Sequence, residues 1–281
     1  MNADRRRGTR RARYRAGAIA LAACALAIQY GHSQPAPADD DISEYRAMFG
    51  EDNPAELWEL RGQEMWTSPR GPKNVALSAT CDFGLGAGVI KGAYAHLPRY
   101  FADTKRVQDM ESRLLTCMVR QQGFAEADIL KTRFGDGDRK SDLEALSAYI
   151  VEQSRGVAIS LPMTRPEERK AFEDGKAIFY YRAGTHDFAC ATCHGTPGKR
   201  IRLQRLPDLA SAEGARESYT AWPAYRISQG EVRTMEWRIG DCFRQQRLPE
   251  LTYGSEAAIA LTMFLAKSAE GGVMAAPGLK R

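Results

Sequence analysis

The motif Cys190-Ala191-Thr192-Cys193-His194 is the feature that most constrains how this chain can fold. Its C-x-x-C-H spacing is that of a c-type haem attachment site. Each cysteine sulfur can form a thioether with one haem vinyl group, and the adjoining histidine can bind the iron from the same side. Without the histidine, the cysteine pair would be typical of a zinc or redox site. The motif therefore predicts one covalently bound haem c, with Cys190 and Cys193 as anchors and His194 as an axial iron ligand.

The basic charge of the chain is concentrated at its start. The formal net charge is +5, and residues 1–15 hold seven arginines against one aspartate, a net +6, which leaves the remainder near −1. Because the basic charge is confined to one end of the chain, the net charge does not indicate nucleic-acid binding. No nucleic-acid partner is therefore expected.

The arginine block is followed by an apolar run, Ala16–Ile28, that is too short to span a membrane, and then by small and polar residues. This order predicts a signal peptide over residues 1–33, with cleavage near Ser33 or Ala38. The sequence before Cys24 also resembles a lipoprotein cleavage site, which leaves lipidation of that cysteine as an alternative. Bacteria attach haem c outside the cytoplasmic membrane, in a compartment that also permits disulfides. We therefore expect a soluble periplasmic protein.

A stretch of the chain recurs without a gap at an offset of 125 residues. Leu97–Gln121 aligns with Trp222–Gln246, and both copies hold proline, tyrosine, valine, methionine, glutamate, arginine, cysteine and glutamine at matched positions. The matched pairs that matter below are Glu111 with Glu236, Arg113 with Arg238, Cys117 with Cys242 and Met110 with Met235. A repeat of this kind indicates two copies of one structural unit.

The apolar spacing predicts an all-α fold, and the repeat together with the haem motif predicts two tandem cytochrome c-like domains, over residues 43–155 and 160–281. Helices are expected at Lys140–Ser154, from Pro166 towards Gly184 with Thr164 as a possible cap, and at Ser255–Lys267. No convincing run of alternating strand residues is present.

The first copy of the repeat has lost the haem motif. Upstream of it lies Cys81–Gly86, which aligns with Cys190–Gly195 but holds Gly84 and Leu85 in place of the second cysteine and the histidine. Leu85 cannot bind iron, so the first domain is predicted to be haem-free. Emptying an ancestral haem pocket would bring Cys81 and Cys117 together, which predicts a disulfide. The alternative is two free buried cysteines.

The second axial ligand stays open at this point. Met235 and Met263 are ordinary candidates, but a methionine at helical spacing is more often a core residue. His96 and His186 are poorly placed in the sequence. Cys242 is the cysteine left over when the leader, haem and disulfide cysteines are set aside.

A lone cysteine in an oxidising compartment is either buried and inert or a reactive or ligating thiolate. Arg238 lies one helical turn before Cys242, and Arg233, Arg244 and Arg247 are close in the sequence. Guanidinium groups lower the pKa of a nearby thiol and form a forked donor site for a sulfur oxyanion. This setting favours a functional Cys242, with Arg238 as the arginine on the same helix face.

These segments together resemble the SoxA family, the larger haem subunits of the SoxAX cytochromes of bacterial sulfur oxidation. The resemblance rests on Cys81–Gly86, Leu97–Phe101, Cys190–His194 and Trp237–Cys242. Some family members carry haem in both halves, and the loss of the first motif makes this chain similar to the single-haem form.

The resemblance implies that Cys242 binds the iron opposite His194 and carries a persulfide, and that Arg238 binds the incoming sulfur anion. It also implies an L-cysteine S-thiosulfotransferase that joins thiosulfate to a cysteine of the SoxYZ carrier and passes electrons to cytochrome c. The small cytochrome subunit SoxX would be the obligate partner. The alternative is a plain periplasmic electron-transfer cytochrome in which Cys242 has no catalytic role.

Overall fold

The computed structural model describes residues 53–135, 140–201 and 204–280. The predicted signal peptide, Cys24, His32 and the start of the first predicted domain lie outside these residues. The described residues all fall within one structural unit that begins at Phe49. Residues 53–155 are called the first half below, and residues 160–280 the second half.

The first half contains five α-helices and one β-hairpin among its described residues. In chain order these are α1 (Glu56–Thr67), α2 (Leu77–Thr80), a 3-10 turn (Ala93–His96), β1 (Arg99–Phe101), β2 (Arg106–Gln108), α3 (Met110–Cys117), a π-helical turn (Met118–Gln122), α4 (Glu126–Lys131) and α5 (Asp142–Glu152).

The second half repeats this order with additions. Its elements are α6 (Pro166–Tyr180), α7 (Cys190–His194), β3 (Arg200–Ile201), β4 (Gln204–Arg205), α8 (Ala212–Tyr219), β5 (Ala224–Arg226), β6 (Glu231–Arg233), α9 (Met235–Gln245), α10 (Glu256–Ser268) and β7 (Gly278–Lys280). Strand β7 pairs in parallel with β5, so the central sheet of this half has the order β6-β5-β7.

The two halves share one local design. Hairpin β1–β2 pairs Tyr100 with Val107, and hairpin β5–β6 pairs Tyr225 with Val232 in the same antiparallel register. A glycine permits close helix packing in each half, because a Cβ on Gly62 would lie 2.1 Å from a carbonyl oxygen of α5 and a Cβ on Gly175 would lie 1.9 Å from one of α10. The repeat read from the sequence is therefore a repeat of structure.

Four of the longer helices begin with a side-chain cap. Asp109, Ser141, Thr234 and Ser255 each accept a backbone N–H of the first turn. Helix α6 begins one residue later than a cap at Thr164 would place it. Its N-cap is Arg165, whose N–H donates to the Glu168 carboxylate (3.1 Å).

The fold is largely helical, but the expectation of an all-α chain was wrong in its detail. Strands of two or three residues are too short to display the alternation that marks a strand in sequence. None of the helices among the described residues is long and apolar enough to cross a membrane.

The seam between the halves is built on buried charge. Arg133 Nη2 donates to Glu111 (3.0 Å) and to its repeat counterpart Glu236 (2.9 Å), and all three side chains are at most 5% exposed. Burial raises the pKa of Glu236 well above its usual value. A single guanidinium therefore joins helices α3 and α9 across the seam.

Replacing Arg133 tests this seam. Arg133→Met leaves two buried carboxylates without their shared cation, so we expect the free energy of unfolding to fall by about 3–5 kcal/mol in denaturant titrations. Adding Glu111→Gln and Glu236→Gln should recover part of the loss, whereas Arg155→Met on the exposed surface should change little. A loss below about 1 kcal/mol for Arg133→Met would contradict the argument.

Candidate functional site

The C-x-x-C-H motif forms the short helix α7. Its first turn is fixed by Thr192, whose hydroxyl accepts the Ala189 N–H (2.9 Å). All five side chains from Cys190 to His194 are half-buried, and Cys190 and Cys193 are free thiols. In the first half, by contrast, the matching Cys81 and Phe83 are fully buried.

His194 is held with one ring nitrogen oriented by the backbone. Its Nδ1 lies 2.9 Å from the Pro207 carbonyl oxygen, which can only accept a hydrogen bond, so the proton resides on Nδ1 and Nε2 keeps its lone pair. Burial lowers the pKa of His194, and Arg238 lowers it further. The imidazole is therefore neutral at neutral pH, the form that ligates a metal.

Cys242 lies on α9 near the two motif cysteines. Its thiol interacts electrostatically with Cys193 and Cys190, and with Arg238 and Arg226. Burial among these groups raises the pKa of Cys190 to about 12 and also raises that of Cys242, although Arg238 acts to lower the latter. The expectation that nearby arginines would leave Cys242 with a depressed pKa is thus not met, because desolvation outweighs their charge.

Arg238 is positioned by a residue that sequence reasoning missed. Its Nη1 donates to Asp241 Oδ2 (3.1 Å), and Gln245 donates to the same oxygen (2.6 Å). Arg244 binds the other carboxylate oxygen. Asp241 is only 4% exposed, so it is a buried acceptor that orients Arg238. Its place directly before Cys242, on a helix otherwise rich in arginine, was the available signal.

The other arginines near Cys242 in the sequence differ from Arg238 in their partners or in their exposure to solvent. Arg233 is turned towards the first half, where it forms two bonds to Glu144 (2.8 and 3.0 Å). Arg244 and Arg247 are exposed. The sequence did not single out Arg226, which closes β5 and interacts electrostatically with Arg238 and Cys242. Burial lowers the pKa of Arg226.

The candidate methionines are core residues. Met235 and Met110 both line a cavity of about 10 Å³ at the seam, together with Tyr94 and Tyr219. Met263 is fully buried in α10. The two other histidines among the described residues have partners of their own: His96 Nδ1 contacts the Ser160 carbonyl (3.1 Å), and His186 packs beside Phe188.

The first half closes the corresponding space. Cys81 and Cys117 form a disulfide, in agreement with the prediction, and Phe83 packs against Trp66. Arg113, the counterpart of Arg238, donates two 2.9 Å bonds to Asp103 and lies over the ring of Phe101 at 4.0 Å. This arginine is therefore neutralised and covered.

Comparison with known proteins identifies the family. The model of the SoxA/TsdA cytochrome c domain matches residues 61–159 and 174–274. The L-cysteine S-thiosulfotransferase subunit SoxA of Hydrogenophilus thermoluteolus is 48% identical over 251 residues, which covers 87% of this chain and 91% of that protein. The chain belongs to the SoxA family.

Other relatives agree with this membership. A SoxA subunit of Hydrogenobacter thermophilus is 34% identical, with 81% of this chain and 82% of that protein covered. The crystal structure of SoxXA from P. pantotrophus has a TM-score of 0.69 at 23% identity, covering 85% of this chain and 84% of that one. That likeness supports the fold.

A SoxA cytochrome c domain implies a haem c cofactor, and the second half fits one. Two free cysteines lie three positions apart on the partly exposed helix α7. The neighbouring histidine has a free Nε2, and a third free thiol lies close by on α9. This donor set matches the two thioether anchors and the axial ligands that haem c needs.

Mutation should show that the disulfide cysteines and the motif cysteines have different roles. Replacing Cys81 and Cys117 together with alanine removes a cross-link between residues 36 apart, which should lower the free energy of unfolding by about 3–4 kcal/mol. Intact mass should still find one haem. The matched double change at Cys190 and Cys193 should remove the covalent haem. Loss of haem from the first variant would contradict this division of roles.

Proposed function

We propose that this chain is the catalytic haem subunit of a periplasmic L-cysteine S-thiosulfotransferase, which couples thiosulfate oxidatively to a cysteine of the SoxYZ carrier. The observation that carries the proposal is the contrast between the halves. Helix α9 holds Cys242 as a free thiol beside α7 and Arg238, whereas the matching Cys117 is locked in a disulfide. The names of the close relatives support the same activity.

One haem c would be held covalently by Cys190 and Cys193, and His194 Nε2 and Cys242 Sγ would bind its iron. The first half, with Gly84 and Leu85 at the motif positions, would hold none. When bound, the haem supplies a one-electron carrier through which electrons reach cytochrome c.

Arg238 would bind the sulfonate end of thiosulfate. Asp241 occupies one of its terminal nitrogens, and the rest of the guanidinium can donate to sulfonate oxygens. An anion fixed in this way presents its outer sulfur to Cys242, which gives the reaction a defined geometry.

The proposed chemistry proceeds in two steps. A sulfur–sulfur bond forms between the outer sulfur of thiosulfate and the Cys242 sulfur, with release of one proton and two electrons. The carrier thiolate then attacks that outer sulfur, and the Cys242 sulfur leaves with the electron pair. The net result is a carrier cysteine S-thiosulfonate, with two electrons delivered to cytochrome c. A persulfide on Cys242 would follow the same balance with one further sulfur in the chain.

The proposal includes the small cytochrome SoxX as partner subunit and export through the N-terminal signal peptide. The competing assignment, an electron-transfer cytochrome with a methionine ligand, gains no support from the site. Met235 lies at the seam beside Met110, and Met263 is buried in the core of the second half.

Two variants decide between these functions. Cys242→Ala, in the complex with the partner subunit and carrier, should lower thiosulfate-dependent reduction of cytochrome c by at least about a thousandfold. Met263→Leu conserves side-chain volume and should leave turnover and the visible spectrum unchanged. Unchanged turnover in the Cys242 variant would refute the enzyme assignment, and a lost ligand signature in the Met263 variant would favour the electron carrier.

The state of Cys242 can be read directly by mass spectrometry. The peptide that contains this residue, taken from freshly isolated protein, should carry one additional sulfur atom that reducing agents remove. A bare thiol in every preparation would argue against the persulfide, though not against the transfer reaction itself.

A further inference from the structure

Arg226 occupies an unusual position beside the proposed anion site. It is the last residue of β5, and its guanidinium lies over the ring of Trp237 at 5.9 Å. Its Nε is buried and has no hydrogen-bond partner among the described residues. A buried donor without a partner is costly unless something accepts its hydrogen bond.

The repeat shows what has changed at this position. Arg226 matches Phe101 in the first half, where the aromatic ring covers Arg113 at 4.0 Å. Ser228 matches Asp103, the carboxylate that neutralises Arg113. The second half therefore has a second guanidinium in place of a hydrophobic cover, and its first arginine, Arg238, shares the carboxylate of Asp241 with Arg244 and Gln245.

The surrounding charges leave this second guanidinium uncompensated. Arg226 interacts repulsively with Arg238 and attractively with Asp241 and Cys242. Asp241 already accepts bonds from Arg238, Arg244 and Gln245. A dianion between the two arginines would relieve their repulsion and accept the unused N–H of Arg226.

We propose that Arg226 is a second binding residue for the substrate sulfonate, forming with Arg238 a two-arginine clamp selective for dianionic sulfur oxyanions. This inference rests on the proposed function. It assigns to Arg226 a direct contact with substrate. Arg238 is already bonded to Asp241, so the second guanidinium helps to balance the two charges of the substrate.

The test uses the holoprotein in complex with its partner subunit and carrier, and compares Arg226→Gln, Arg226→Lys and the exposed control Arg155→Gln. Loss of a charge-assisted bond should raise the KM for thiosulfate about 10- to 100-fold in the glutamine variant, with a smaller change in kcat. The lysine variant should fall between it and the wild type. Inhibition by sulfate should weaken by a similar factor, and the control should match the wild type.

Spectra separate the remaining outcomes. An unchanged KM and unchanged sulfate inhibition in both Arg226 variants would overturn the inference. A shifted haem spectrum or midpoint potential with unchanged KM would also overturn it, and would assign Arg226 to a haem propionate. If the wild-type complex itself fails to turn over thiosulfate, the proposed function fails and the clamp with it. Should the glutamine variant not fold, the lysine variant supplies the same comparison.

Discussion

The interaction on which the rest of the structure depends is the pairing of Arg133 with Glu111 and Glu236. Taking one guanidinium and two carboxylates out of water carries a large desolvation penalty, which only close contacts offset. Here the bonds measure 2.9 and 3.0 Å, and the Gly254 N–H donates a further bond of 2.7 Å to Glu236. Because the Arg133 guanidinium and both carboxyl groups are buried, displacement of one half would leave a buried charge without its partner. These contacts therefore fix how the two halves are aligned and also stabilise their interface.

The two halves place different chemistry on one scaffold through a handful of side chains. Both present a hairpin followed by a helix with an arginine one turn before a cysteine. In the first half the cysteine is consumed by a disulfide, and the arginine is covered by Phe101 and neutralised by Asp103. In the second half the cysteine is free and the cover is replaced by Arg226. We therefore infer that function on this fold is set by which charges are left uncompensated, since the hairpin register is the same in both halves.

Much of this could be predicted from the sequence, and the failures have physical reasons. A covalent motif with fixed spacing located α7, and an ungapped repeat located two matching structural units. The lost motif upstream of the first copy, together with the repeat, gave the cysteine pair of the disulfide. Short strands escaped notice because three residues carry no periodicity. Asp241 and Arg226 were missed because their roles depend on partners brought together only by folding. The pKa of Cys242 was misjudged because sequence gives neighbouring charges but not burial, and burial has the larger effect here.

The first half, with no haem motif of its own, still bears on the site. Helix α9 begins at Met235, and its second residue, Glu236, is fixed by Arg133 from the first half. Glu168, in the first turn of α6, accepts the Tyr100 N–H of β1 (2.9 Å). This bond connects a second helix of the second half to the first half. Cys242 lies less than two helical turns beyond Glu236 on the same helix. The ion pair between Arg133 and Glu236 therefore also fixes the position of the Cys242 sulfur. The proposed site, in which one sulfur faces both a metal and an anion, needs such rigidity. The first half supplies it, which gives a physical reason why a half without a C-x-x-C-H motif is retained as a folded partner.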